Sequence, residues 1–127
     1  MIIRTLALLL LSLQLFACPL SDNAKIEIIG TIKLKTFPGA PEYQSIKNGD
    51  KEETYFFIES NEKICFAPDG KFLTSQVELS SVQLVLKSKK IKLESGKKYK
   101  ISGTTLPSHT GHHHSDVLLE VESVEKI

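Results

Sequence analysis

From Lys25 onward the apolar residues come in short runs of period two separated by turn residues, and no stretch holds a 3.6-residue period for the length of a helix. Ile26, Ile28, Ile32 and Leu34 share one parity, with Gly30 on the same face. A glycine inside a strand marks a bend or bulge where a sheet curls. Tyr55-Phe56-Phe57-Ile58 reads as a buried strand of aromatic and β-branched residues. Ile64-Cys65-Phe66 continues it after a short connection, and Pro68-Asp69-Gly70 forms a turn. Val82-Gln83-Leu84-Val85-Leu86 suits a strand or a short piece of helix, since periodicity does not decide for so short a run. Lys87 to Glu94 is predicted as a short helix ending at Gly96. Tyr99, Ile101 and Gly103 then alternate with Lys98, Lys100 and Ser102, and the last strand turns Val117, Leu119 and Val121 inward. Five strand regions, a short helix before the fourth, and glycines in the first and fourth predict a mostly β protein. The expected architecture is a small five-stranded OB-like Greek-key barrel with one short helix; a small β-sandwich is the alternative.

The chain has 127 residues, enough for one domain. Residues 1–17 differ from the rest. Arg4 precedes the run Leu6 to Leu11, which continues through Leu13, Leu15 and Phe16 to Ala17. This reads as a secretory signal peptide over 1–17, too short and too polar at Ser12, Gln14 and Pro19 to span a bilayer. It leaves a single domain at 18–127 and no transmembrane helix in the mature protein. Lys and Arg number 16 against 15 Asp and Glu. Arg4 is the only arginine, so the domain after the signal is neutral and arginine-free. It has neither the net basic field nor the bidentate phosphate fork that nucleic acid or an anionic membrane surface calls for.

Cys18 has two readings. Leu15-Phe16-Ala17-Cys18 resembles a bacterial lipobox, whose cysteine carries a lipid anchor. Alternatively, cleavage near Ala17 leaves Cys18 to pair with Cys65, the only other cysteine, and an even count in an exported chain favours a disulfide. Either way the predicted location is the bacterial periplasm or cell envelope.

All four histidines fall in His109-Thr110-Gly111-His112-His113-His114-Ser115-Asp116. In an extended segment His112 and His114 project to one side, so the pair, with His109 across the Gly111 bend and Asp116 or another carboxylate, has the donor set for zinc, copper or nickel. The competing reading has these imidazoles only hydrogen-bond the backbone and hold the start of the final strand. A third makes the loop pH-sensitive, because clustered histidines depress one another's protonation. The second unusual stretch is 37–53, rich in Pro and Gly, with Tyr43 either a binding residue or an anchor packed on the barrel end, and Asp50, Glu52 or Glu53 able to complete a metal site. In an OB barrel this loop joins strands one and two and the histidine loop joins strands four and five, and both flank the ligand face. Lys87, Lys89, Lys90, Lys92, Lys97, Lys98 and Lys100, without interleaved aromatics, read as a solvated face that blunts an edge strand. Nucleophile elbows, phosphate loops, dinucleotide fingerprints and His-Glu-x-x-His are missing from the sequence.

The blocks Phe37 to Ile46, Gly49-Asp50, Ile64-Cys65, Gln83 to Leu86, Ser102-Gly103-Thr104, His109 to His114 and Val117-Leu118-Leu119 together resemble one bacterial family, the domain of unknown function 4431 of small exported proteins. In this chain Ser115-Asp116 stands where that family usually has a Thr-Pro-like pair. The resemblance implies export and cysteines placed like Cys18 and Cys65, and so a disulfide; it implies no reaction.

The sequence therefore points to an exported, non-enzymatic binding or accessory module. It contacts a small ligand or envelope protein through the 37–53 and 109–116 loops, with Tyr43, Asp50, His109, His112, His113 and His114 as binding residues. One alternative is a metal protein or metal-dependent enzyme using His109, His112 and His114 with zinc or copper. The other is an inhibitor or immunity protein acting on an envelope enzyme.

Overall fold

The computed structural model describes residues 17–127. The signal peptide read over 1–17 lies, apart from Ala17, outside the described residues. Five strands follow one another: β1 (Lys25–Pro38), β2 (Glu52–Phe66), β3 (Val77–Leu86), β4 (Lys98–Pro107) and β5 (Val117–Lys126). They close into a barrel in the order β1-β2-β3-β5-β4, with β3 and β5 parallel and every other pair antiparallel. Closure disposes of the β-sandwich, because each strand has a neighbour on both sides.

The period-two pattern fills this barrel. Along β4, buried and partly exposed residues alternate from Lys98 to Pro107. Ile28, Ile32, Ile58, Phe66, Val82, Leu84, Tyr99, Ile101, Val117, Leu119 and Val121 make one interior cluster. Leu34, of the same parity as Ile32, is half exposed. The two strand glycines mark the bends the sequence calls for. At Gly30 to Thr31, β1 leaves β4 and joins β2, and a Cβ on Gly30 would sit 2.2 Å from the Glu59 carbonyl oxygen. Gly103 lies at the β4–β5 bulge, equally close to the carbonyl of Glu120. The two pieces expected around Ile58 and Cys65 form one strand, β2, irregular between Glu59 and Ile64 where its pairing with β3 shifts.

The short helix over 87–94 is absent; among the described residues there is no helix at all. The segment keeps the strand-like period, Ile91 and Leu93 packing against the core between exposed lysines. Its hydrogen bonds go elsewhere than to a helix. Gly96 N–H donates to the Ile32 carbonyl, Ile32 N–H to the Lys97 carbonyl, and Glu94 N–H to the Tyr99 hydroxyl. A helix would also stack Lys87 over Lys90 and Lys89 over Lys92, like charges at helical neighbour spacing. Lys87 to Lys97 thus belong to the β3–β4 connection, not to an edge strand.

Cys18 and Cys65 are joined in a disulfide across a sequence separation of 47. A sulfur so engaged is not free for the thioether of a lipid anchor. Around it, Ser21 N–H donates to the Ala67 carbonyl and Ala67 N–H to that of Pro19. The buried Thr105 hydroxyl accepts from Ala24 N–H and donates to the Leu20 carbonyl. Closing so long a loop is expected to contribute about 2–4 kcal/mol. The Cys18→Ala/Cys65→Ala variant should lose that much in denaturant unfolding, whereas a midpoint equal to the oxidised protein would show that the bridge adds nothing.

Candidate functional site

Not every buried residue belongs to the barrel interior. Phe57, Gln83 and Leu118 have the parity opposite to Ile58, Val82 and Leu119, yet all three are buried. They lie on the outer face of the sheet, where the β4–β5 connection, residues 108–116, folds down over Gln83 and, with Lys35 and Phe37, beside Phe57. This is the histidine loop, and the residues that fasten it determine the site.

Gln83 is the main fastener. Its side chain is 2% exposed. Its amide oxygen accepts from His114 N–H at 2.6 Å and its amide nitrogen donates to the His112 carbonyl at 2.9 Å. Its own backbone N–H donates to the Ser115 hydroxyl, which donates onward to the Val117 carbonyl. The His114 ring stacks flat on Phe37, centroids 3.9 Å apart, and leans on Tyr55. Its Nε2 is buried with no hydrogen-bond partner. On the far side His109 Nδ1 bonds the Pro107 carbonyl, His109 N–H donates to His113 Nδ1, and the half-exposed Phe72 packs against His109.

His112 reaches the other way. Its Nδ1 lies 2.8 and 3.0 Å from the Glu53 carboxylate oxygens and 3.2 Å from the Tyr55 hydroxyl. A carboxylate only accepts, so Nδ1 carries a proton, and in the neutral ring Nε2 is left with its lone pair. The Tyr55 hydroxyl donates to the same carboxylate at 2.8 Å. These two bonds hold Glu53 below its ordinary carboxylate range. Partial burial, then the bond to Glu53 and the charges of Glu53 and Tyr43, push Tyr55 up to about 12.

The first loop, Gly39 to Lys51, meets the histidine loop here. Asp50 closes it, accepting from the N–H groups of Glu42, Gln44 and Ser45, which hold its carboxyl below the usual range. Tyr43, between those donors, sits at φ 57° with its own N–H bonded to the Gly39 carbonyl. Its ring is 40% exposed, edge-on to His112 at 5.8 Å, and lies over Gly111, where a Cβ would come within 3.1 Å of it. Glu52 is exposed and apart from this network.

The four histidines therefore serve different partners: His112 the start of β2 and the Tyr43 ring, His114 the aromatic wall and Gln83, His109 and His113 each other. His109, His112 and His114 do not converge on a point. Among the described residues no group of three His, Cys, Asp or Glu side chains is placed to hold one metal ion. The zinc or copper site drawn from their spacing is not assembled, because the loop is bent at Gly111 and its rings point to three sides. Asp116 is exposed at the mouth of a groove of about 460 Å3 formed with Lys35, Phe57, Ser81 and His114. A second groove, of about 370 Å3, lies between Thr54–Phe56 of β2 and Gln83–Leu86 of β3, with His112 and His113 along its rim. Gln83, Ser115, Phe37 and Tyr55 went unassigned in the sequence reading; the one available signal was a lone amide within the apolar run Val82 to Leu86.

Burial, with the neighbouring imidazoles, lowers the affinity of His113 and His114 for a proton, Glu53 partly offsetting this at His114. Both are then neutral in the folded protein where the unfolded chain, with an ordinary value near 6.5, takes up protons. Their contribution is intact above about pH 6.5 and is lost as pH falls below it. Amide exchange of residues 108–116 should accelerate relative to the barrel between about pH 7.5 and 5.5. Unchanged or slower exchange would contradict this burial.

Among the described residues no helix is long and apolar enough to cross a membrane. No curated protein and no solved structure matches the chain. The part that carries the histidine loop with β4 and β5, residues 81–125, matches the family model described as Domain of unknown function (DUF4431), the family that the sequence blocks resemble.

Proposed function

We propose that the protein is an exported, non-enzymatic binding module with an OB-type barrel, its ligand face being the outer surface of β2 and β3 between the two loops. The observation that carries this reading is the Glu53–His112 contact. It ties the start of β2, where the first loop ends, to the histidine loop, with Tyr43 of the first loop and two grooves beside it. The strand order, with β3 parallel to β5, supports the OB assignment, and in that architecture these loops bound the binding face. The disulfide and the leucine-rich segment before Cys18 support export. The non-catalytic reading rests on His112: among the described residues its Nε2 has no hydroxyl or thiol to activate, and both cysteines are bridged.

Fractions of a bacterial envelope extract, added to the oxidised protein, test this reading by thermal shift. A fraction that raises the melting temperature of the protein and not of Tyr43→Asn supports it; asparagine tolerates the left-handed backbone that Tyr43 adopts. If no fraction stabilises the protein, or the variant responds equally, the reading fails.

A further inference from the structure

Building on that face as a binding surface, we propose that its ligand is a neutral oligosaccharide, one sugar ring stacking on Tyr43 and a hydroxyl donating to His112 Nε2.

The charges at the site argue against ionic ligands. An anion needs a free cation, and the described residues contain no arginine; Lys35, the lysine facing the grooves, is paired with Glu59 at 3.4 Å and lies over the Phe57 ring. A cation needs a free carboxylate, and none lines the groove beside His112; the exposed Asp116 belongs to the other groove. Asp50 is occupied by three backbone N–H groups, and both Glu53 oxygens take His112 Nδ1, one of them Tyr55 as well. A peptide is commonly taken up along a free sheet edge; in this closed barrel the edge at the groove is only the short stretch where Thr54–Phe56 of β2 and Leu84–Leu86 of β3 do not pair with each other.

What the rim does offer is uncharged. Tyr43 gives an exposed ring and a hydroxyl. His112, 55% exposed, gives an acceptor whose tautomer Glu53 fixes from behind. Sugar rings pair an apolar C–H face with hydroxyls that donate and accept, the complement of a ring beside a lone pair. The adjoining groove of about 370 Å3 falls at the lower end of the roughly 300–1,000 Å3 of small-molecule sites. Tyr43 is also held in place before any ligand arrives: its left-handed backbone is fixed by the Asp50 clamp on both neighbours and by the Gly39 carbonyl. A preset aromatic loses little freedom on binding.

Titration of the oxidised, 15N-labelled protein with chitotetraose, cellotetraose and maltotetraose is the test. At least one should give saturable shifts at Tyr43, Tyr55, Gly111 and His112, and Tyr43→Asn should weaken it about tenfold, the upper end for one lost aromatic contact. Tyr43→Leu, which keeps bulk without a ring face, should behave likewise. No saturable shift with any of the three, shifts confined to other residues, or undiminished affinity in both variants overturns the inference. A non-sugar compound from the envelope fractions that shifts the same four residues would overturn the sugar assignment while leaving the binding face standing.

Discussion

Gln83→Leu should lower the free energy of unfolding by about 2–4 kcal/mol and strip the His114 amide of its protection from exchange. Leucine fills much the same space, so the loss comes from hydrogen bonding. The His114 N–H and the His112 carbonyl both lose their partner, and each lies under the folded-down loop against a residue that is 2% exposed. An unpaired buried polar group costs about 1–3 kcal/mol. The loop then detaches more readily, and Phe57, buried on the outer face beside it, meets water. Denaturant unfolding by circular dichroism gives the first number and hydrogen exchange the second. A variant as stable as the parent, with His114 still protected, would mean that Gln83 does not fasten the loop.

Gly103→Ala is expected to be worse, at about 3 kcal/mol or more, or to prevent folding. The added carbon would lie 2.2 Å from the Glu120 carbonyl oxygen, a backbone atom within the β4–β5 pairing. No side chain can swing aside, so the strands must separate beside Ile101 and Val121, both in the core. A soluble variant with unchanged thermal unfolding would refute this close approach.

The barrel was legible in the sequence because both its strands and its bends leave local marks. Period two along β4 and glycines at 30 and 103 survive in any single stretch of chain. The helix expected over 87–94 is absent for the converse reason. Gly96 is a plausible helix end, but Gly96 and Lys97 bond to Ile32, some sixty residues away, and such a partner leaves no trace nearby. The histidine loop stood out by composition alone, and its neighbourhood to the Tyr43 loop followed from the barrel topology. The work of each imidazole did not follow, because it depends on Glu53, Phe37 and Gln83, which come from three other parts of the chain. Leu118 showed the same limit. In the alternating pattern it belongs outside, yet it is fully buried.

The histidines act as fasteners, and His112 Nε2 is the acceptor they leave beside Tyr43 for a ligand. Long-range 15N–1H correlation of the neutral imidazoles, at a pH above about 7.5, reads this directly. His112 and His109 should carry their proton on Nδ1, donating to Glu53 and to the Pro107 carbonyl, and His113 on Nε2, with the pattern unchanged by equimolar zinc. A proton on Nε2 of His112, or zinc shifting His109, His112 and His114 together, would contradict it.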